Sequence, residues 1–189
     1  MCGINGFNFG SEELIRKMNT KVKHRGPDGE GVFVCEHISL GHTRLAIIDL
    51  SAKAAQPMFS ADDSLVLVFN GEIYNFQDIR KELEIKGFKF TSNSDSEVII
   101  CAYQEYGADC VQKFNGIFAF AIFDKKNQSL FLARDRMGVK PLYYYWDPST
   151  SSGQAKFIFS SEIKAILEHP IKREVNIDAM NIYFRALYI

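Results

Sequence analysis

The chain has 189 residues, of which 47% are hydrophobic and 24% charged, with a formal net charge of −1. A chain this long buries about 70% of the surface its unfolded form exposes, so one ordinary globular domain needs no staples. No basic patch calls for nucleic acid, no apolar run reaches membrane-spanning length, and the N-terminus lacks the apolar stretch of a signal peptide.

The chain opens Met1-Cys2-Gly3-Ile4. Cellular trimming removes an initiator methionine before a small residue, which would leave Cys2 with a thiol and a free α-amine on one carbon. The amine titrates near ~8 and the thiol near ~8.5, so the amine can take the thiol proton at neutral pH. One residue would then supply nucleophile and base; the plainer reading is a small residue ahead of a strand. That strand is expected from Ile4 to Phe9. Ser11 can cap a helix with Glu12 and Glu13 in its first turn and Leu14, Ile15, Met18 and Val22 inward. A second helix is expected after Asn75, turning Ile79 and Leu83 inward and stopping at Gly87. A third opens on a capping box, Ser94-x-x-Glu97, and buries Val98, Ile99, Ala102 and Tyr106. Ser161 and Asp178 are expected to cap two further helices.

Between these lie nearly continuous apolar runs at 65–69, 117–123, 130–132, 142–146 and 157–159. A sheet with one wet face would alternate instead. Short connections, as between Phe123 and Leu130, indicate antiparallel hairpins, and residues 147–153 form an elaborated hairpin loop rather than a domain boundary. Antiparallel sheets buried on both faces need cover on each side. A four-layer α-β-β-α sandwich satisfies this, as one of several α+β architectures. The four cysteines (Cys2, Cys35, Cys101, Cys110) show no CxxC pairing and read as reduced residues of a cytoplasmic protein.

Several polar residues interrupt the apolar pattern. Asn70-Gly71-Glu72 follows the run ending at Phe69. Asn-Gly marks a tight turn, or else offers a side-chain amide and a backbone N–H as paired donors to an oxyanion. Arg44 lies in Thr43-Arg-Leu-Ala-Ile-Ile48, either snorkelling from an edge strand or clamping a carboxylate. Asp95 either favours the helix dipole or accepts an ammonium group. Thiol, oxyanion donors, carboxylate clamp and ammonium acceptor together describe an α-amino acid whose side-chain amide is cleaved.

That set resembles the class II glutamine amidotransferases, N-terminal-nucleophile hydrolases, and within them the glutamine-hydrolysing, B-type asparagine synthetase branch. The resemblance is carried by Met1–Ile4, His24–Gly31 (HRGPDGEG), Gly41–Asp49 (GHTRLAIID), Asn70–Asn75 (NGEIYN), Ser94–Glu97, Asn115–Phe120, Ala133–Pro141 (ARDRMGVKP) and Phe159–Lys164, in family order across almost the whole chain. It implies that Cys2 forms a glutamyl thioester and that Asn70 and Gly71 hold the oxyanion. Arg44 would bind the α-carboxylate of L-glutamine, Asp95 with Glu72 its α-ammonium, and backbone groups of Ile47 and Ile48 would line the pocket. The His24–Gly31 segment is expected to order as a loop on glutamine, and Arg134–Pro141 to end a strand with buried ion pairs.

The resemblance further implies residues 1–175 as the glutaminase domain and 176–189 as the start of a connection to a C-terminal ATP-dependent synthetase domain, acting in cis, that this sequence does not contain. That domain would use ATP, Mg²⁺ and aspartate with the ammonia to make asparagine. No cofactor is expected in the glutaminase domain itself, no nucleic acid or membrane partner is expected, and a homodimer is open. The alternatives are a related ligase amidating another carboxylate such as a sugar acid, or a regulatory module that keeps the fold without catalysis.

Overall fold

The computed structural model describes residues 1–148 and 155–187. Among these residues nine strands, β1 Gly3–Phe7, β2 Gly29–Cys35, β3 Ile38–Arg44, β4 Met58–Phe59, β5 Leu65–Ile73, β6 Gly116–Asp124, β7 Ser129–Arg134, β8 Tyr143–Asp147 and β9 Lys156–Ser160, form two antiparallel sheets. The first runs β2-β3-β1-β9-β8 and the second β4-β5-β6-β7. The helices are α1 Glu12–Val22, α2 Phe76–Ile85, α3 Asp95–Tyr106, the short α4 Ile163–Ile166 and α5 Ile177–Ala186.

Period-two side-chain direction sorts the apolar runs into three cores. In β5, Val66 and Val68 face the first sheet, while Leu65, Leu67 and Phe69 face α2 and α3. In β6, Ala119, Ala121 and Phe123 take the inner side, and Phe118, Phe120 and Ile122 the outer. In the other sheet, Ile4 and Phe159 join the inter-sheet core, while Phe7 and Ile158 pack with Ile15, Met18, Val22, Ala165 and Ile166 of α1 and α4. This is the four-layer α-β-β-α sandwich. Both faces of each central strand are dry, which is why their sequences run apolar without alternation.

Ser11 caps α1, accepting from Leu14 N. β8 and β9 are antiparallel partners, with Asp147 opposite Lys156, as the hairpin reading requires; of the loop expected at 147–153, positions 149–153 lie outside the described residues. Four expectations are corrected. Ser94 does cap α3, accepting from Ser96 N, but Glu97 reaches past it to the N–H groups of Thr91 and Ser92, so the capping box is not reciprocal. Ser161 caps nothing: its hydroxyl accepts from Ile4 N across the sheet, and α4 starts after Glu162. Asp178 lies in the first turn of α5, whose cap is Asn176. The His24–Gly31 segment is not a free loop. It holds a 3₁₀ turn over Lys23–Arg25, then enters β2 with Gly29 opposite Arg44 and Gly31 opposite His42. Its glycines serve close packing: a Cβ on Gly26 would sit 2.3 Å from the Thr43 carbonyl and one on Gly31 2.0 Å from the Gln56 carbonyl oxygen.

Candidate active site

The pairing Gly3↔Thr43 brings the start of β1 beside the end of β3, so Cys2 and Arg44 share one end of the first sheet. Beyond the short β4, the outer edge of β5 is uncovered and meets that end. The two edges, with the N-terminus of α3, close a cleft of about 100 Å³. Cys2, Arg44, Ile47, Ile48, Asn70, Gly71, Glu72 and Asp95 all line it.

Met1 precedes Cys2 here, so the nitrogen of residue 2 is a peptide N–H standing in for the α-amine that trimming would release. The Cys2 sulfur accepts from Leu45 N at 3.3 Å. Burial pushes its thiol above the ordinary value, while the Leu45 N–H, the terminal amine and Arg44 pull the other way. Arg25 donates to the Cys2 carbonyl at 3.0 Å and pairs with Glu162 at 3.1 Å, fixing the main chain at the nucleophile.

Asn70 and Gly71 do not form the turn that their dipeptide favours. Nine residues of β5 pair continuously with β6, Asn70 opposite Ala119 and Gly71 opposite Phe118. Phe118 turns both backbone groups to the far side, its N–H donating to Asp135 Oδ2 at 3.1 Å and its carbonyl accepting from Asp135 N at 2.8 Å. In an antiparallel ladder Gly71 must then point its N–H away from β6, off the open edge. Its neighbours on that edge have acceptors: Phe69 N donates to Gln56 Oε1 at 2.6 Å and Ile73 N to Asp95 Oδ2 at 3.0 Å. Gly71 must be glycine, since a Cβ would lie 2.3 Å from the Ile117 carbonyl oxygen. The Asn70 side chain is buried, and its amide nitrogen has no hydrogen-bond partner among the described residues. A buried amide donor without an acceptor costs about 1–3 kcal/mol, which makes the position a candidate donor to a ligand in the cleft.

Arg44 directs its guanidinium to the carbonyls of Asp49 and Ser51. Those bonds brace the 45–51 loop, which carries Ile47 and Ile48, both exposed, at the mouth of the cleft. Asp49 is held at about 2 by Ser51 and Asn93, tying this loop to the approach to α3. Asp95 is 4% exposed at the first position of α3. Burial, with Glu72 adding like charge, raises its carboxyl to about 6 against the N–H groups that favour its anion. A desolvated carboxylate of this kind is suited to an incoming cation.

Sequence reasoning missed His42, Gln56 and Lys140, which also line the cleft. His42 Nε2 lies 3.2 Å from the Phe69 carbonyl, which can only accept, so Nε2 carries the proton. Burial lowers the ring to about 3 and keeps it neutral. His42 and Gln56 thus pin both backbone groups of Phe69, next to Asn70, and Gln56 also donates to Ser96 Oγ at 3.2 Å. His42 was legible only as a polar residue inside a quoted segment. The Arg134–Pro141 segment, expected to hold buried ion pairs, is built otherwise: Arg134 donates to the carbonyls of Gly138 and Lys140, and Asp135 accepts main-chain N–H groups. Among the described residues no group of His, Cys, Asp or Glu is arranged to hold a metal ion, and no helix is long and apolar enough to cross a membrane.

The model of the glutamine amidotransferase domain family matches residues 1–189. The chain belongs to that family. This glutamine amidotransferase domain is 44% identical to a Methanocaldococcus jannaschii protein named for glutamine-hydrolyzing asparagine synthetase 2, over all of this chain and 40% of that protein. It is 43% identical to glutamine-hydrolyzing asparagine synthetase 3 of Bacillus subtilis, over 93% of this chain and 29% of that protein. The chain therefore spans well under half the length of these relatives. Among solved structures, the glutamine phosphoribosylpyrophosphate amidotransferase of B. subtilis superposes with a TM-score of 0.71 at 21% identity, covering 87% of this chain and 43% of that one. At that identity the likeness is one of fold.

Proposed function

We propose that the domain hydrolyses the side-chain amide of L-glutamine at Cys2. The α-amine of processed Cys2 takes the thiol proton, the thiolate attacks the amide carbon, and the Asn70 amide and Gly71 N–H receive the developing oxyanion. The same amine, now protonated, gives its proton to the leaving ammonia, and water then releases glutamate from the thioester. Arg44 binds the α-carboxylate and Asp95, with Glu72, the α-ammonium; Ile47 and Ile48 close the mouth. His42 and Gln56 keep Asn70 in place by holding Phe69. The observation that carries this reading is the buried, unpartnered Asn70 donor in the same cleft as Cys2. None of these steps calls on a cofactor.

In a longer protein of the relatives' length, the ammonia would pass to a synthetase domain that uses ATP, Mg²⁺ and aspartate to form asparagine. No residue of this chain is assigned to that step. Residues 1–175 are the proposed glutaminase domain. The proposed connection from 176 gains support from α5, which buries none of its residues and leaves Ile177, Ile182 and Phe184 exposed. A cytoplasmic location is proposed with it, and the homodimer stays open.

The deciding experiment is glutamate release by the chain with Met1 removed, against Cys2→Ala and against the chain with Met1 retained. The processed protein should be active and both others silent, with circular dichroism unchanged. Activity in the alanine variant would remove Cys2 as the nucleophile.

A further inference from the structure

The Arg134–Pro141 turn takes no part in the chemistry above, yet it is anchored at several points. Asp135 accepts from Phe118 N at 3.1 Å, Val139 N at 2.9 Å and Lys140 N at 3.0 Å. Arg134 Nε donates to the Lys140 carbonyl at 2.6 Å, and Gly138 turns the chain at φ +62°, a conformation that favours glycine. Burial would raise the Asp135 carboxyl, but the N–H groups of Lys140, Val139, Phe118 and Met137 outweigh it and hold the carboxyl below its ordinary value. Its charge is committed to the main chain. This turn delivers Lys140 into the cleft that holds Met1 and Cys2. Lys140 is only 9% exposed, and among the described residues no carboxylate lies within 4.0 Å of its ammonium. With its stem buried and its ammonium unpaired, Lys140 presents a cation to the cleft.

We propose that Lys140 is a positioning residue for the catalytic proton: its unpaired ammonium, in the same cleft as Cys2, favours the neutral form of the α-amine of processed Cys2, ready to take the thiol proton. This rests on the reading of Cys2 as nucleophile. Arg44, Glu72 and Asp95 line the same cleft, and Arg44 and Asp95 act on the Cys2 thiol. At the Met1 amine, one residue before the nitrogen that processing would free, burial lowers the titration, as do Arg25 and Lys140, while the Cys2 thiol and Asp28 raise it. Arg25 is compensated by Glu162 at 3.1 Å, and Asp28 is bonded to Ala46 N at 2.9 Å. Arg44 is held by the carbonyls of Asp49 and Ser51, which leaves Lys140 as the cleft cation with no hydrogen-bond or ion-pair partner for its side chain among the described residues.

The test compares processed wild type, Lys140→Met and Lys140→Arg, with Lys140→Gln as a second neutral variant should methionine perturb the fold. The amine works only when neutral, so activity rises with pH through its titration. Loss of the cation raises that midpoint by about half to one pH unit, for a charge several ångströms away in a partly screened cleft. The acidic limb of kcat/KM should move upward by that amount in the neutral variants. Activity should fall about three- to ten-fold on that limb, with an unchanged plateau at high pH and recovery in Lys140→Arg. The Cys2 ¹³Cα shift in cysteine-labelled protein reads the same midpoint without substrate. A moved midpoint with no glutaminase activity in any protein would sink the proposed function and leave this inference standing. Active enzyme with an unmoved midpoint, or a loss equal at every pH, overturns the role of Lys140.

Discussion

The two ends of β5 obey different rules. From Leu65 to Phe69 the side chains fill two cores and the backbone groups on the outer edge find acceptors and donors. From Asn70 to Glu72 the same strand keeps its pairing with β6 but presents a buried amide without an acceptor among the described residues, a glycine with its N–H at an open edge, and an exposed glutamate. One strand thus passes from a region optimised for packing to one in which polar groups wait for something else. Mutations should therefore separate stability from activity within a few residues. Asn70→Ala should lower turnover by ~10²–10³, the usual cost of one oxyanion donor. Because the Asn70 side chain makes no hydrogen bond among the described residues, its removal breaks none, and relief of the buried unpaired donor offsets the small cavity, so unfolding stability should change by about 1 kcal/mol or less. Leu67→Ala, three residues earlier, should cost about 2–5 kcal/mol of stability through its cavity while the folded fraction keeps normal turnover. Denaturant titrations and steady-state kinetics on both variants decide the matter. An Asn70 variant as unstable as the Leu67 one would erase the distinction.

This contrast was only partly readable in the sequence. The sandwich was legible because apolar runs without alternation require cover on both faces. The chemical residues were legible because each put a polar group where the pattern asked for none. The conformation at Asn70-Gly71 was not. The dipeptide's local preference for a turn is overridden by pairing with β6, whose own sequence gives no sign of where the ladder ends. Nor could spacing reveal that His42 from the other sheet and Gln56 from a loop meet at Phe69. Ser161 misled for a related reason: a serine ahead of a helix is a good cap by local rules, and only the neighbouring β1 shows that Ile4 N claims it.

A second division runs between the residues proposed to touch the reacting amide and those proposed to hold the α-carbon groups. Arg44→Ala should lower kcat/KM for glutamine by about 2 kcal/mol or more, the low end expected for removing one partner of a partly buried charge pair. It should barely affect an amide that lacks the α-carboxylate, since that substrate leaves the clamp empty in either protein. Asp95→Ala should behave likewise toward the analogue lacking the α-amino group. Each variant is measured against glutamine, its des-carboxy analogue and its des-amino analogue. Equal losses on all three would make both residues supports of the cleft that do not read the substrate.

Asp95 carries the smaller and more particular effect, on stability rather than rate. Its carboxyl titrates at about 6 when folded, raised first by burial and then by Glu72, against about 3.9 unfolded. Between these values the folded state holds a proton that the unfolded chain has lost, so stability falls as pH rises from about 4 to 6 and stays lower above that. Two units correspond to at most about 3 kcal/mol, less whatever the cleft's solvent screens. Asp95→Asn keeps an oxygen for the Ile73 N–H without the charge. It should remove this slope and make the free domain more stable at pH 7.5, while weakening glutamine. The same sign predicts that glutamine binding by wild type weakens below pH 6, where the ammonium would meet a neutral acid, and that the des-amino analogue shows no such loss. Chemical denaturation at pH 4.5 and 7.5, with binding measured on Cys2→Ala to prevent turnover, tests both halves. A variant that keeps the wild-type slope would assign the stability change to some other group, and the ammonium site would then have to be sought at Glu72.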